Sequence, residues 1–332
     1  MLERSGYADA GERLSPALIT EAAVFLEGRI RHTPVEESPA LSERLGVPVW
    51  LKLECLQITG SFKVRGALFA LSRLPRARAL QGVATCSAGN HGKGLAYAAR
   101  QLDIPVTIYV PSSVDEAKYR AMVALGAEVV RSRFPGYDET EAWALKEAAQ
   151  SGKPFISAYD DPYIMAGNGG TTAVEVVRAV PSARTFILPV GGGGLAGGFA
   201  FYVKDQVPGA QFIACQHAGS PALQRSLNQG AAVTEMPALD TIAGGLEGGL
   251  GRRPFEVLKE RVDHVALVSE AELRAGVRWM LDHHQYLIEP SSAVTIAACL
   301  SERLPPLAGP VVIFLSGRNV SLSTIRAVIR DS

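Results

Sequence analysis

From about residue 82 the chain alternates short β-rich apolar runs with longer segments whose apolar positions recur at helical spacing, the pattern of strands feeding helices in a parallel sheet. The runs GVATC, PVTIYV, AEVVR and PFISA predict a compact four-strand unit. Helices are predicted between them over residues 91–101, 115–125 and 137–151, the last with amphipathic spacing at Trp143, Leu145, Ala148 and Ala149. A second series, TFILPV, QFIAC, DHVALV and VVIFL, predicts another sheet, with helices near residues 162–180, 194–206, 269–284 and 320–330. The first eighty residues add a helix near 16–28, the strand VWLKLE and a helix after Gly60, and either sheet can take them. The predicted fold class is α/β, with two doubly wound parallel-sheet lobes. Ligands of such sheets gather outside the carboxyl ends of the strands, so chemistry is expected in the crevice between the lobes.

Composition supports this picture and narrows the partners. A chain of 332 residues with 47% apolar and 20% charged positions has room for two lobes that each bury a core. Lys plus Arg equals Asp plus Glu at 33 each and the basic residues are scattered, so nucleic acid is not expected as a partner. The opening MLERSGYADAGERL is charged, and no stretch approaches the roughly 20 apolar residues that span a bilayer. A cytoplasmic protein without a membrane partner is expected. Cys55, Cys86, Cys215 and Cys299 lie far apart in apolar surroundings and lack metal spacing, which predicts reduced core thiols.

Candidate chemistry sits at the junctions between elements. Gly191, Gly192, Gly193 and Gly194, followed by Leu195, come directly after TFILPV and open a helix. Backbone N–H groups of such a run can converge on an anion at a helix N-terminus, which predicts a phosphate cradle; a flexible turn or a tight helix contact is the plainer alternative. Gly192 to Gly197 also satisfy G-x-G-x-x-G, but a dinucleotide site needs an acidic residue about 20 positions on. Here QFIAC runs into Gln216 and His217, and the acid is missing. Lys63 follows Gly60-Ser61-Phe62 at a predicted helix start, where the helix N-terminus and an apolar neighbour favour the neutral amine that forms a Schiff base. Ser87-Ala88-Gly89-Asn90-His91-Gly92 lies between VATC and a helix, with Asn90 as the expected N-cap and N–H groups suited to a carboxylate. Ser316-Gly317-Arg318-Asn319 follows VVIFL at a strand end.

Taken in order, GSFKVRGA, SAGNHG, PVGGGGLAGG, IEPSSA and SGRN resemble the threonine dehydratase and serine racemase family of fold type II pyridoxal-phosphate enzymes over nearly the whole chain. The resemblance implies a tryptophan synthase β-like fold, with residues 1–80 and 158–332 as the large cofactor-binding domain and 81–157 as the small domain. It implies pyridoxal 5'-phosphate as cofactor, Lys63 as its lysine, Phe62 packed against it, Asn90 on its 3′-oxygen and Ser316 on the pyridine nitrogen. The phosphate falls to the backbone of Gly191, Gly192, Gly193, Gly194 and Leu195. Ser87, Ala88, Gly89, Asn90 and His91 are implied to hold the carboxylate of a small amino-acid substrate. The implied activity is that of a deaminating dehydratase, in which Lys63 takes the α-proton of a 3-hydroxy amino acid and the β-hydroxyl leaves. A homodimer is the implied assembly.

Departures from the family pattern sharpen these expectations. Serine racemases carry an acid-bearing serine at the position of Ala88, so elimination is expected over racemisation. Gln216 and Ala222 stand where some relatives place carboxylate metal ligands, so no metal is expected there. Ala243-Gly244-Gly245 replaces the usual Ala-Asp-Gly, and Lys93 follows His91-Gly92 either as a pocket residue able to welcome a second acidic group, as in 3-hydroxyaspartate, or as a solvated surface lysine. Gly167-Asn168-Gly169-Gly170-Thr171 is one residue longer than the family's G-x-G-T. His217, His283, His284 and Glu289-Pro290 receive no role. The chain ends soon after SGRN, so the carboxyl-terminal regulatory domain of some relatives is not expected. An amino-acid racemase or β-replacement enzyme, and a noncatalytic binding protein on the same fold, are the alternatives.

Overall fold

A computed structural model describes residues 12–301 and 303–330, and most of the charged opening segment lies outside the described residues. Nine strands among these form two sheets: β1 (Val35–Glu37), β2 (Val49–Leu53), β3 (Val83–Cys86), β4 (Val106–Val110), β5 (Glu128–Arg131), β6 (Thr185–Pro189), β7 (Gln211–His217), β8 (His264–Val268) and β9 (Val311–Leu315). The larger sheet has the order β1-β2-β9-β6-β7-β8. Its strands run parallel except β1, which pairs antiparallel with β2 at one edge. The inner strands β6 and β9 are buried at every position, as continuous apolar runs covered on both faces require. The edge strand β1 is three residues long and carries exposed Glu36 and Glu37, which blunt it against further pairing. VWLKLE thereby joins the first eighty residues to the larger sheet.

The smaller sheet has three parallel strands, β3-β4-β5, rather than four. The expected strand PFISA is reduced to a single bridge between Phe155 and Ala84. The chain cannot continue as a strand because it turns immediately at Ser157, whose Oγ accepts hydrogen bonds from Asp160 N at 3.0 Å and Tyr159 N at 3.4 Å.

The helix expected over 162–180 is interrupted. Pro162–Met165 is α-helical, Ala166–Gly170 is a π-turn, and Thr171–Ala179 resumes the α-helix. A π-turn closes its hydrogen bonds one residue later, so it takes up the extra residue of GNGGT without breaking the helix. The same turn crosses helix Gly194–Gln206 at backbone contact: a Cβ on Gly169 would lie 2.1 Å from Leu195 O, and one on Gly198 2.0 Å from Met165 O.

One apolar core cluster joins the first eighty residues to the smaller unit. Leu18, Ile19, Val64, Leu68 and Phe69 share one buried cluster with Val83, Leu95, Ile108 and Met122 of the smaller unit. Helix Lys63–Ser72 therefore packs on helix Asn90–Gln101, so closely that a Cβ on Gly94 would stand 3.1 Å from Lys63 C. The four cysteines are buried and unpaired, as expected. Among the described residues no helix is long and apolar enough to cross a membrane.

Candidate active site

Two segments distant in sequence are laced together at the carboxyl ends of β2 and β9. Phe62 N donates to Ser316 O at 3.2 Å, Arg318 N donates to Gly60 O at 2.9 Å, and Ser61 bridges Gly317. Gly60 has φ 79°, and a side chain there would meet Asn319 Oδ1 at 2.7 Å, so both backbone conformation and space demand glycine. This lacing places Ser316 beside the start of helix Lys63–Ser72, whose first residue is Lys63, as expected. Lys63 Nζ donates to Ala158 O at 2.9 Å and lies 5.2 Å from the Phe62 ring centroid. Burial pulls its pKa down to about 8, against the opposing pull of the Glu289 carboxylate. At pH 7 about a tenth of such an amine is neutral, against less than about a thousandth for a free lysine.

One helix position beyond Val64 stands a buried ion-pair network that sequence reasoning missed. Arg65 donates to Glu54 through Nε at 2.8 Å and Nη2 at 2.7 Å, and to Glu175 through Nη1 at 2.7 Å and Nη2 at 2.9 Å. Lys52 Nζ completes it at 2.5 Å from Glu175 Oε2, and Thr33 Oγ1 donates to Glu54. Burial alone would raise the Glu54 pKa, yet Arg65 and Lys52 bring it below its ordinary value. These charges clamp the Lys63 helix to β2 and to helix Thr171–Ala179.

The tetraglycine segment follows β6 and opens helix Gly194–Gln206. Among the described residues no carbonyl or side chain accepts from the N–H groups of residues 191–195, while the turn is closed from its other side by Gly251 N donating to Gly192 O at 3.1 Å. A Cβ on Gly191 would lie 2.3 Å from Gly245 O, and one on Gly192 2.3 Å from the Tyr159 ring. Tyr159 follows Ala158, the acceptor of Lys63, so the glycine run and the lysine adjoin the same dipeptide. The Gly192→Ala substitution must displace Tyr159. It is expected to weaken retention of pyridoxal phosphate by about 10-fold, read as visible absorbance left after dialysis.

Across the site, Asn90 is the first residue of its helix rather than the N-cap. The capping falls to Ser87, whose Oγ accepts from Gly92 N at 2.8 Å and Gly89 N at 3.1 Å. Asn90 is thus released for longer contacts: its Nδ2 donates to Glu289 Oε1 at 2.6 Å, and its Oδ1 accepts from Asn319 Nδ2 at 2.7 Å. Glu289 Oε2 also accepts from Asn319 N at 3.0 Å. Burial raises the Glu289 pKa, with Lys118 and the Asn90 amide pulling it back. Glu289, left without a role from sequence, therefore ties the loop at residues 87–91 to the SGRN segment. The acid next to a proline at a helix start was its only sequence signal.

Other residues fall differently from expectation. The His91 side chain points away from the loop surface, with Nε2 3.1 Å from Thr85 Oγ1, and burial together with nearby Lys63 drives its pKa down to about 3. Only its backbone N–H faces the loop, where among the described residues the N–H groups of Ala88, Asn90 and His91 have no acceptor. Lys93 is half-buried rather than solvated, and its Nζ donates to Asn319 Oδ1 at 2.9 Å. No hydrogen bond among the described residues uses Ser316 Oγ, while Ser316 N donates to Ser292 Oγ at 2.8 Å. Gln216 spends its amide on Val190 O and Gln224 N. His217 pairs with Glu270, His283 stacks on Trp279 and His284 bonds Ser38, all as structural contacts.

A half-buried lysine with a depressed pKa, an aromatic wall, and, among the described residues, a run of N–H groups without acceptors and a hydroxyl without a hydrogen bond at a strand end together fit pyridoxal phosphate. The comparisons agree with that fit. The family model described as pyridoxal-phosphate dependent enzyme matches residues 26–317. The chain is 37% identical over 313 residues to an L-threonine ammonia-lyase of Geobacter sulfurreducens, covering 94% of this chain and 77% of that protein. It is 32% identical to the serine racemase of Homo sapiens, covering 94% and 93% of the two. Maize serine racemase superposes with a TM-score of 0.89 at 28% identity, over 96% of this chain and 98% of that one.

Proposed function

Because the chain belongs to the pyridoxal-phosphate dependent enzymes, we propose that it removes water and ammonia from a small 3-hydroxy amino acid such as L-threonine or L-serine, leaving a 2-oxo acid. Bound pyridoxal phosphate supplies an electron sink for the charge that develops at the substrate α-carbon. Lys63 holds the cofactor and, as a neutral amine, accepts the α-proton on Nζ. The N–H groups of residues 191–195 hold the phosphate at a helix N-terminus, Phe62 walls the site, and Asn90 and Ser316 orient the ring. Ser316 offers a neutral hydroxyl, which does not keep a ring nitrogen charged as a carboxylate does. The free N–H groups of Ala88, Asn90 and His91 receive the substrate carboxylate, and residues 81–157 form the lobe that brings this loop onto the substrate.

Ala88 carries the choice of elimination over inversion, because its methyl group has no proton to deliver to the α-carbon. The relatives include both chemistries, so this residue is the local argument between them. The test is incubation with a panel of 3-hydroxy amino acids, 3-hydroxyaspartate included, with 2-oxo acid, ammonia and D-isomer all quantified. Oxo acid and ammonia in equal amounts are expected, and D-isomer without oxo acid would overturn the reading. Ala88→Ser is expected to raise the ratio of D-isomer to oxo acid by about 10-fold, since a positioned acid contributes at least that much. A homodimer, on the resemblance, completes the proposal.

A further inference from the structure

The loop at residues 87–91 offers N–H donors at a helix N-terminus but no charged side chain, and a cation beside it would strengthen its hold on a carboxylate taken from water. The cations around it are few. Lys63 is committed to the cofactor under the reading above, Lys93 is held 2.9 Å from Asn319 Oδ1, and Arg318 is exposed. Lys118, on helix Glu116–Ala124 of the smaller unit, is half-buried and lies directly over the loop. A Cβ on Gly89 would meet its Cδ at 3.3 Å and its Nζ at 3.6 Å. A side chain at residue 89 would press on the Lys118 stem, which would have to give by a few tenths of an ångström. Among the described residues no carboxylate lies within ion-pair distance of the Lys118 ammonium. The carboxyls that feel its charge are Glu289, behind the loop at Asn90, and Glu247, beyond Gly244 on the opposite wall.

We propose that Lys118 is a substrate-binding residue, supplying the positive charge that neutralises the amino-acid carboxylate on the N–H groups of Ala88, Asn90 and His91. This rests on the carboxylate reading of the loop. Lys118 reaches the loop from the neighbouring helix, so carboxylate capture also fixes that helix against the loop.

The test uses the protein with its cofactor bound and measures binding by calorimetry, with alanine and alaninamide as probes because neither carries a β-hydroxyl to lose. The wild-type chain is expected to prefer alanine. Lys118→Gln is expected to weaken alanine about 10- to 100-fold, the range for a hydrogen bond to a charged group, and alaninamide less than about 3-fold. Lys118→Arg is expected to recover most of the alanine affinity. Equal losses for both probes would make Lys118 merely structural and overturn the proposal, as would an unchanged alanine affinity in Lys118→Gln. Equal wild-type affinities for the two probes would instead overturn the carboxylate reading of the loop, and the proposal with it.

Discussion

Lys63→Ala is expected to lower the release of 2-oxo acid by at least about 10³-fold, since under the proposed reading it removes both the cofactor attachment and the base at the α-carbon. The visible absorbance of the protein incubated with pyridoxal phosphate and then dialysed is expected to vanish in the same variant, and an unchanged band would sink the assignment. The wild-type lysine carries a pH signature as well. Burial disfavours the ammonium and lowers its pKa from the ordinary 10.5 to about 8, so the reactive neutral form grows as pH rises and saturates above that value. Uptake of pyridoxal phosphate by cofactor-free protein is therefore expected to quicken from pH 6 to about 8 and then level off. Continued acceleration up to about pH 10 would mean that Lys63 titrates as a solvated lysine.

Arg65→Ala is expected to destabilise the fold by about 3–5 kcal/mol, measured as a shift in the denaturant midpoint at unchanged slope. The cost does not come from the attraction lost, which desolvation largely cancels. It comes from the carboxylates of Glu54 and Glu175, left buried or half-buried without the five-donor fork that satisfied them. Lys52 compensates only in part, because it reaches Glu175 at 2.5 Å but Glu54 at 3.8 Å. Burial then raises the Glu54 carboxyl, and the variant is expected to recover some stability as the pH falls and that group is neutralised. A loss below about 1 kcal/mol would show that packing, not charge, clamps the Lys63 helix.

What was legible in the sequence follows from how local each cause is. The strands and helices of both sheets, the glycine run and the lysine at a helix start depend on apolar spacing and on single junctions, and the chain states those directly. PFISA has the composition of a strand, but its length was cut by Ser157, a turn whose hydrogen bonds only appear once the backbone bends. Asn90 has the residue type of an N-cap, and Ser87, three positions earlier, took that role because its hydroxyl reaches Gly92 N. Glu289 and Arg65 could not be placed from sequence, since their meaning lies in partners 199 and 110 positions away. The extra glycine in GNGGT was visible as an irregularity, and its outcome as a π-turn depended on a neighbouring helix pressing at backbone distance.

The contact at Gly94 gives the two units a bearing. Helix Asn90–Gln101 rests there against the backbone of Lys63 itself, and the loop at residues 87–91 lies at the near end of that helix, about one turn or 6 Å of axis away. β5, at the far edge of the smaller sheet, stands two strand spacings, about 10 Å, farther out than β3. A rotation of the smaller sheet about this contact would carry β5 farther than the loop at residues 87–91.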